Sequence, residues 1–234
     1  MKQRFCTRLR TPSLHLALVA ICLLTGSQSG LATDAKTTKT PRKIAKSAIE
    51  EMQAKYKDVS TLTAEFTQKQ TNATLGTTKE TSGRIFIKRP NMFRWQTTTP
   101  ENEASILVGN QKQVWFYKPP FREGENGTVL IRPAADVQSQ LAIDLLAGHA
   151  DVRKEFNYKD LGEGHFELKP LKPAGDIEHI ELFLERSTKL VYRLVLFTLT
   201  GNKTELTLKD VVLSPQLSDK MFTFTAPPKT EEIH

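Results

Sequence analysis

The feature that most restricts this chain is a change of hydrophobic period near Val59. From there onward, apolar residues recur at every second position in run after run. In "STLTAEFTQKQT", Leu62, Ala64 and Phe66 share one face and Thr63, Glu65 and Thr67 the other. Successive side chains leave a strand on opposite sides, so this alternation predicts a half-buried antiparallel strand. Similar runs follow: "TSGRIFIK", "MFRWQT", "ASILVG", "QVWFYK", "GTVLIR", "VRKEFNY", "HFELKP", "IEHIELFLE", "KLVYRLVLFTLT", "TELTLKDVVL" and "MFTFT". Turn formers fill the gaps, such as "GN" at 109–110, "EGENG" at 123–127 and "PAGD" at 173–176. The pattern predicts a mainly β, α+β chain built on one antiparallel sheet of about eleven strands. A sheet that wide should curl towards a barrel.

Two segments keep a helical period instead. After Thr40-Pro41, residues Ile44, Ala48, Met52 and Tyr56 repeat every four positions, which predicts an amphipathic helix starting at Pro41. In "AADVQSQLAIDLLAGH", Val137, Leu141 and Leu145 do the same, with Ala142 and Leu146 alongside. A helix over 136–148 follows, capped by Asp136 and ended by Gly148. Two such helices can cover the sheet. Several strands are apolar on both faces; in "KLVYRLVLFTL" one set is Leu190, Tyr192, Leu194 and Leu196. Either those strands lie between two layers, or the concave face lines a cavity. The candidate lining is Met52, Leu141, Leu145 and Leu146 from the helices, with Trp95, Trp115 and Phe116 from the strands. Plain core packing is the alternative role for the helical residues. Trp115 and Phe116 are adjacent, so only one of them can face inward.

The N-terminus reads as an export signal. Residues 1–15 carry Lys2, Arg4, Arg8 and Arg10 and no acid, and "LALVAICLLTG" is a short apolar run. "SQSGLA" then places small residues before a cut near Ala32. Residues 33–40 are polar and predicted to be a disordered leader, so the folded domain is expected over 41–234. Both cysteines, Cys6 and Cys22, would leave with the signal, and with them any thiol or disulfide. Cys22 follows Ile21 and precedes two leucines, which does not suit a lipid-attachment site. Of the 33 basic residues four lie in residues 1–32, against 26 acids elsewhere, leaving +3 for the mature chain. That balance argues against nucleic acid as a partner.

No phosphate-binding loop, dinucleotide fingerprint, HExxH or GxSxG occurs, and no histidine has metal-ligand spacing to another. The expectation is a binding protein rather than an enzyme, with no cofactor and no metal.

Taken in order, the amphipathic helix, "FTQ" in the first strand, "GRIFIKRPNMFRW", "QVWFYKPPF", "LLAG" and "MFTFTAPP" resemble the LolA family. This family comprises the periplasmic lipoprotein carriers of the lipoprotein-localisation pathway. The resemblance spans about residues 41–228, and "KRPNMFRW" with "WFYKP" is its most specific part. It implies an unclosed β-barrel whose mouth is covered by helices. It also implies a monomer in the periplasm that takes acylated lipoproteins from an inner-membrane ABC transporter and delivers them to an outer-membrane receptor. The arginine of the "RPN" motif, Arg89, would latch the lid by hydrogen bonds to backbone carbonyls of the 136–148 helix. Phe93 would be the aromatic at the mouth that handles cargo and its transfer. Other readings of the same scaffold are a carrier of another lipid or glycolipid, or a lipoprotein-sensing module. A hydrolase of envelope lipids is the rival from another class.

Overall fold

The computed structural model describes residues 47–134, 140–148 and 150–233. The predicted signal peptide and leader, the Pro41 helix start and the Asp136 cap lie outside the described residues.

Helix α1 spans Ala48–Tyr56. Ser47 is extended and caps it: its hydroxyl accepts from the Glu50 N–H at 3.3 Å, and its own N–H donates to Glu50 Oε2 at 2.9 Å. This reciprocal capping box opens the described helix at Ala48. Ile49, Met52 and Tyr56 form its buried stripe.

Six strands follow: β1 Thr61–Asn72, β2 Thr77–Lys88, β3 Met92–Thr99, β4 Ser105–Gly109, β5 Gln113–Lys118 and β6 Gly127–Pro133. Helices α2, Gln140–Leu146, and α3, Val152–Glu155, interrupt the β run. Then come β7 Phe156–Gly162, β8 His165–Pro170, β9 Ile177–Leu184, β10 Val191–Thr198, β11 Lys203–Leu213 and β12 Thr230–Ile233. All twelve form one sheet in the order β12-β6-β5-β4-β3-β2-β1-β11-β10-β9-β8-β7. Every pairing is antiparallel except β12 on β6, which is parallel. The end strands β7 and β12 do not pair with each other, so the barrel is unclosed.

Three local readings change. "VRKEFNY" is not all strand: Asp151 accepts from the Lys154 N–H at 3.3 Å and caps the short α3, so β7 starts at Phe156. In β10 the register slips between Val191 and Arg193. That bulge turns Val191 into the core beside Leu194 and leaves Tyr192 exposed, against the regular alternation expected. "MFTFT" is not a strand either. Asp219–Phe222 form a single 3-10 turn, and the twelfth strand lies further on, at Thr230–Ile233.

Residues 214–229 act as a strap over the convex face of β1 to β5. The Ser214 N–H donates to the Thr61 carbonyl at 2.8 Å, and the Thr61 hydroxyl to the Pro215 carbonyl at 2.7 Å. Lys88 donates to the Leu217 carbonyl at 3.0 Å and pairs with Asp219 at 2.6 Å. Arg94 donates to the Met221 carbonyl at 3.3 Å. Phe222 is fully buried, and Phe224 lies 5.1 Å from the Tyr117 ring. The strap is the second layer that lets β5 be apolar on both faces.

The concave face carries the main core. The register across β1, β2, β3, β4 and β5 stacks it in rows. The first row is Leu62, Ile87, Phe93, Gly109 and Val114; the second is Ala64, Ile85, Trp95, Leu107 and Phe116. Leu145, Leu146 and Ile143 from α2 pack on this core together with the buried stripe of α1.

Candidate functional site

Arg89 stands at the end of β2, in the turn to β3, where Asn91 takes a left-handed φ of 55°. Pro90 and Asn91 bring the chain round within a tight connection. The guanidinium thereby sits between the C-terminal ends of α1 and α2. Its Nη2 donates to the Tyr56 carbonyl at 2.8 Å and the Ala147 carbonyl at 3.1 Å, and Nη1 to the Lys57 carbonyl at 3.1 Å. These are the orphan acceptors that every helix leaves at its last turn, and a cation complements the helix dipole there. Arginine suits the position because its rigid fork offers several donors at once. Burial pulls the guanidinium below its ordinary pKa, opposed by the nearby Asp58 carboxylate. Its Nε is buried without a hydrogen-bond partner.

Tyr56 completes this junction. Its carbonyl takes the Arg89 bond, while its phenol oxygen accepts from the Val191 N–H of β10 at 3.2 Å. Its ring packs on Gly148, where φ is +66° and any Cβ would overlap the ring. Gly148 ends α2 in the left-handed conformation that glycine adopts freely. Burial raises the Tyr56 phenol's pKa above its ordinary value, partly offset by the Val191 hydrogen bond. Sequence reasoning placed Tyr56 on the apolar stripe of α1 and missed its polar role. The signal was there in part: a buried tyrosine, unlike a phenylalanine, needs a partner for its hydroxyl.

Away from Arg89 the concave rows become polar. The third row contains Phe66, Gly83, Thr97 and Ser105; beyond it Gln68 faces Thr81, and Gln70 faces Lys79. Between the second row and this polar end lies a cavity of about 520 Å³. Trp95, Leu107, Phe116, Ile143, Leu146, Ile177, Leu196 and Leu206 form its apolar floor and walls. Gln68, Gln70, Thr81, Ser105, Lys118 and Asp176 line its mouth, as do Lys79 and Glu103, which pair with each other. Trp95 is held by the Phe66 ring at 4.6 Å.

The predicted lining residues therefore separate. Trp95, Phe116 and Leu146 line the cavity. Trp115 does not: β5 points it to the convex face, opposite Val108 and Ile131, while Val114 and Phe116 face inward. Met52 and Leu145 are buried in the packed core, and Leu141 packs against it from the side. Phe93 is 3% exposed and lies on Gly109, where a Cβ would overlap its ring. It belongs to the closed, Arg89 end of the concave face rather than to the polar mouth. Sequence reasoning missed Leu107, Ile177, Leu196 and Leu206, which alternation alone cannot tell from core. Among the described residues no group of three or more His, Cys, Asp or Glu is placed to hold a metal ion.

Residues 57–225 match the family model described as Outer membrane lipoprotein carrier protein LolA. The chain belongs to the LolA family. The matched region runs from just after α1 into the strap, and includes Arg89, Phe93 and every cavity residue named above. Among curated relatives, an outer-membrane lipoprotein carrier protein of Yersinia enterocolitica is 29% identical over 211 residues, covering 90% of this chain and 93% of its own. One of Yersinia pestis is 30% identical over 212 residues, covering 90% and 94%. Among solved structures, an uncharacterised conserved protein from Thermus thermophilus overlays with a TM-score of 0.48 at 11% identity, covering 80% of this chain and 97% of that one.

Proposed function

We propose that this LolA-family chain is a periplasmic carrier of lipoproteins, and not an enzyme. It would take their acyl chains into the cavity and pass them, as a monomer, from an inner-membrane ABC transporter to an outer-membrane receptor. The observation that carries the reading is the apolar-floored cavity of about 520 Å³ under helices joined by Arg89. Each acyl methylene left in water costs about 0.8 kcal/mol, so a lipoprotein needs shelter to cross an aqueous compartment. A carrier must also let go. Arg89 acts as the latch: its bonds hold α1 and α2 together when the cavity is empty, and breaking them on loading subtracts from net affinity. Trp95, Phe116 and Leu146 contact the acyl chains. Phe93, sealed on Gly109 in the latched form, becomes accessible when the helices lift and then meets cargo or receptor.

The test is release. Spheroplasts synthesising a labelled lipoprotein are incubated with the purified protein. The labelled lipoprotein is expected in the supernatant, bound to the carrier. Label that stays in the membrane pellet sinks the proposal.

A further inference from the structure

Four large apolar side chains stand out at one end of the barrel. Leu75 is 72% exposed, Phe121 68%, Leu171 59% and Leu199 72%. Each lies in a different connection: β1–β2, β5–β6, β8–β9 and β10–β11. Scattered exposed leucines are ordinary on a protein surface. Leu161, Tyr192, Val212 and Ile233 are less exposed, at 42%, 38%, 51% and 44%, and lie elsewhere, whereas the four most exposed share one end. All four connections are at the end of the strands away from Arg89, around the polar mouth of the cavity, where Gln70, Lys79, Lys118 and Asp176 line it.

Three of the connections are also joined. The Ala73 N–H of the Leu75 turn donates to Asn202 Oδ1 at 3.0 Å, in the Leu199 turn. The Leu199 N–H donates to the Asp176 carbonyl at 2.9 Å, in the Leu171 connection. Leu75, Leu199 and Leu171 thus sit on one continuous rim. Phe121 is on the other flank of the mouth, with Arg122 over its ring at 5.9 Å.

We propose that this rim docks on a lipid bilayer: Leu75, Phe121, Leu171 and Leu199 enter the membrane interface and set the cavity mouth against it. The inference rests on the carrier reading, because the transporter that supplies the acyl chains and the receptor that takes them both lie at a bilayer. A mouth pressed to that surface spares them exposure to water. The form of the rim favours lipid over a protein partner. Its apolar tips are carried singly on four connections around a polar opening, whereas a protein interface needs a contiguous apolar centre. Basic and acidic groups are balanced, Lys118, Arg122 and Lys172 against Glu123, Glu125 and Asp176. Docking is therefore driven by apolar insertion and not by attraction to anionic lipid.

The experiment uses the full chain with Cys6→Ser and Cys22→Ser, which leaves no other thiol. A single cysteine is introduced at position 75, 121, 171 or 199, or at 161 or 212 at the other end, and labelled with an environment-sensitive fluorophore. Vesicles of phosphatidylethanolamine and phosphatidylglycerol are added, and then vesicles of phosphatidylcholine alone. Blue shifts are expected at the four rim positions and not at 161 or 212. They should be alike on both vesicles and persist in molar salt. No shift at the rim, or equal shifts at both ends, overturns the proposal. A shift without vesicles that grows with protein concentration overturns it in favour of a second copy. A chain that releases lipoprotein yet shows no rim shift overturns the docking alone; one that shifts but releases nothing overturns the carrier reading.

Discussion

Arg89 and Tyr56 together hold the junction of the two helices, and each can be separated from the other by substitution. Arg89→Leu removes the donors to three carbonyls, Tyr56, Lys57 and Ala147. The empty protein is expected to lose about 1–3 kcal/mol in urea denaturation, the range for losing charge-assisted hydrogen bonds to part-buried carbonyls. Retention of apolar cargo should rise at the same time, because the helices no longer pull shut. An unchanged affinity for a hydrophobic fluorescent probe, with unchanged retention, counts against the latch. Tyr56→Phe strands the Val191 N–H and should cost about 1–2 kcal/mol at neutral pH. It should also alter the alkaline limit. The folded protein holds the Tyr56 proton more tightly than the unfolded chain, whose phenol titrates near 10. The stabilisation from that proton is complete below pH 10 and is lost as pH rises through the folded value. The stability difference between the native chain and Tyr56→Phe should therefore narrow as pH rises above about 10. A difference that stays constant would mean the phenol does not titrate in this range.

At the scale of elements, the strap matters as much as the helices. Phe222 is fully buried on the convex face in a segment with no ladder of its own. Phe222→Ala is expected to cost about 3–5 kcal/mol, the range for emptying a buried aromatic site. Hydrogen exchange should then speed up at β12, which the strap delivers to the edge of β6, while β9 and β10 stay protected. Equal loss of protection everywhere would show that the strap is inseparable from the main fold. The same element explains a misreading. "MFTFT" alternates like a strand, but Phe222 and Phe224 serve a 3-10 turn and an extended crossing. The alternation records which side of the strap touches the sheet; it does not record whether the strap has a hydrogen-bonding neighbour. α1 shows the reverse case. Its capping box, Ser47 with Glu50, is written in the sequence. The continuous four-residue repeat upstream outweighed it only because periodicity carries no mark for where a helix begins.

For the whole molecule, the concave face grades from apolar rows near Arg89 to polar rows at the mouth. Function is expected to track that gradient. Leu107 lies in the cavity floor and is only half-buried, so Leu107→Gln should leave folding cooperative. It should weaken binding of a fluorescent fatty acid about tenfold, or ~1.4 kcal/mol, because the buried amide finds no partner. Unaltered probe affinity would place the acyl site elsewhere. The sequence by itself determined the β class, the near-complete strand set and the second helix with its Gly148 stop; the expectation for Arg89 came from the resemblance to the LolA family. The first three rest on local rules: alternation, helical period and glycine at a left-handed position. Only the tertiary structure decided that Phe116 faces in and Trp115 out, that Met52 and Leu145 are core and Leu196 and Leu206 are wall, and that Tyr56 is a hydrogen-bonding centre. The physical reason is that an apolar side chain obeys the same periodicity whether it meets another side chain or an empty space. Which of the two it meets depends on how the sheet curls, and that curvature is a property of twelve strands at once.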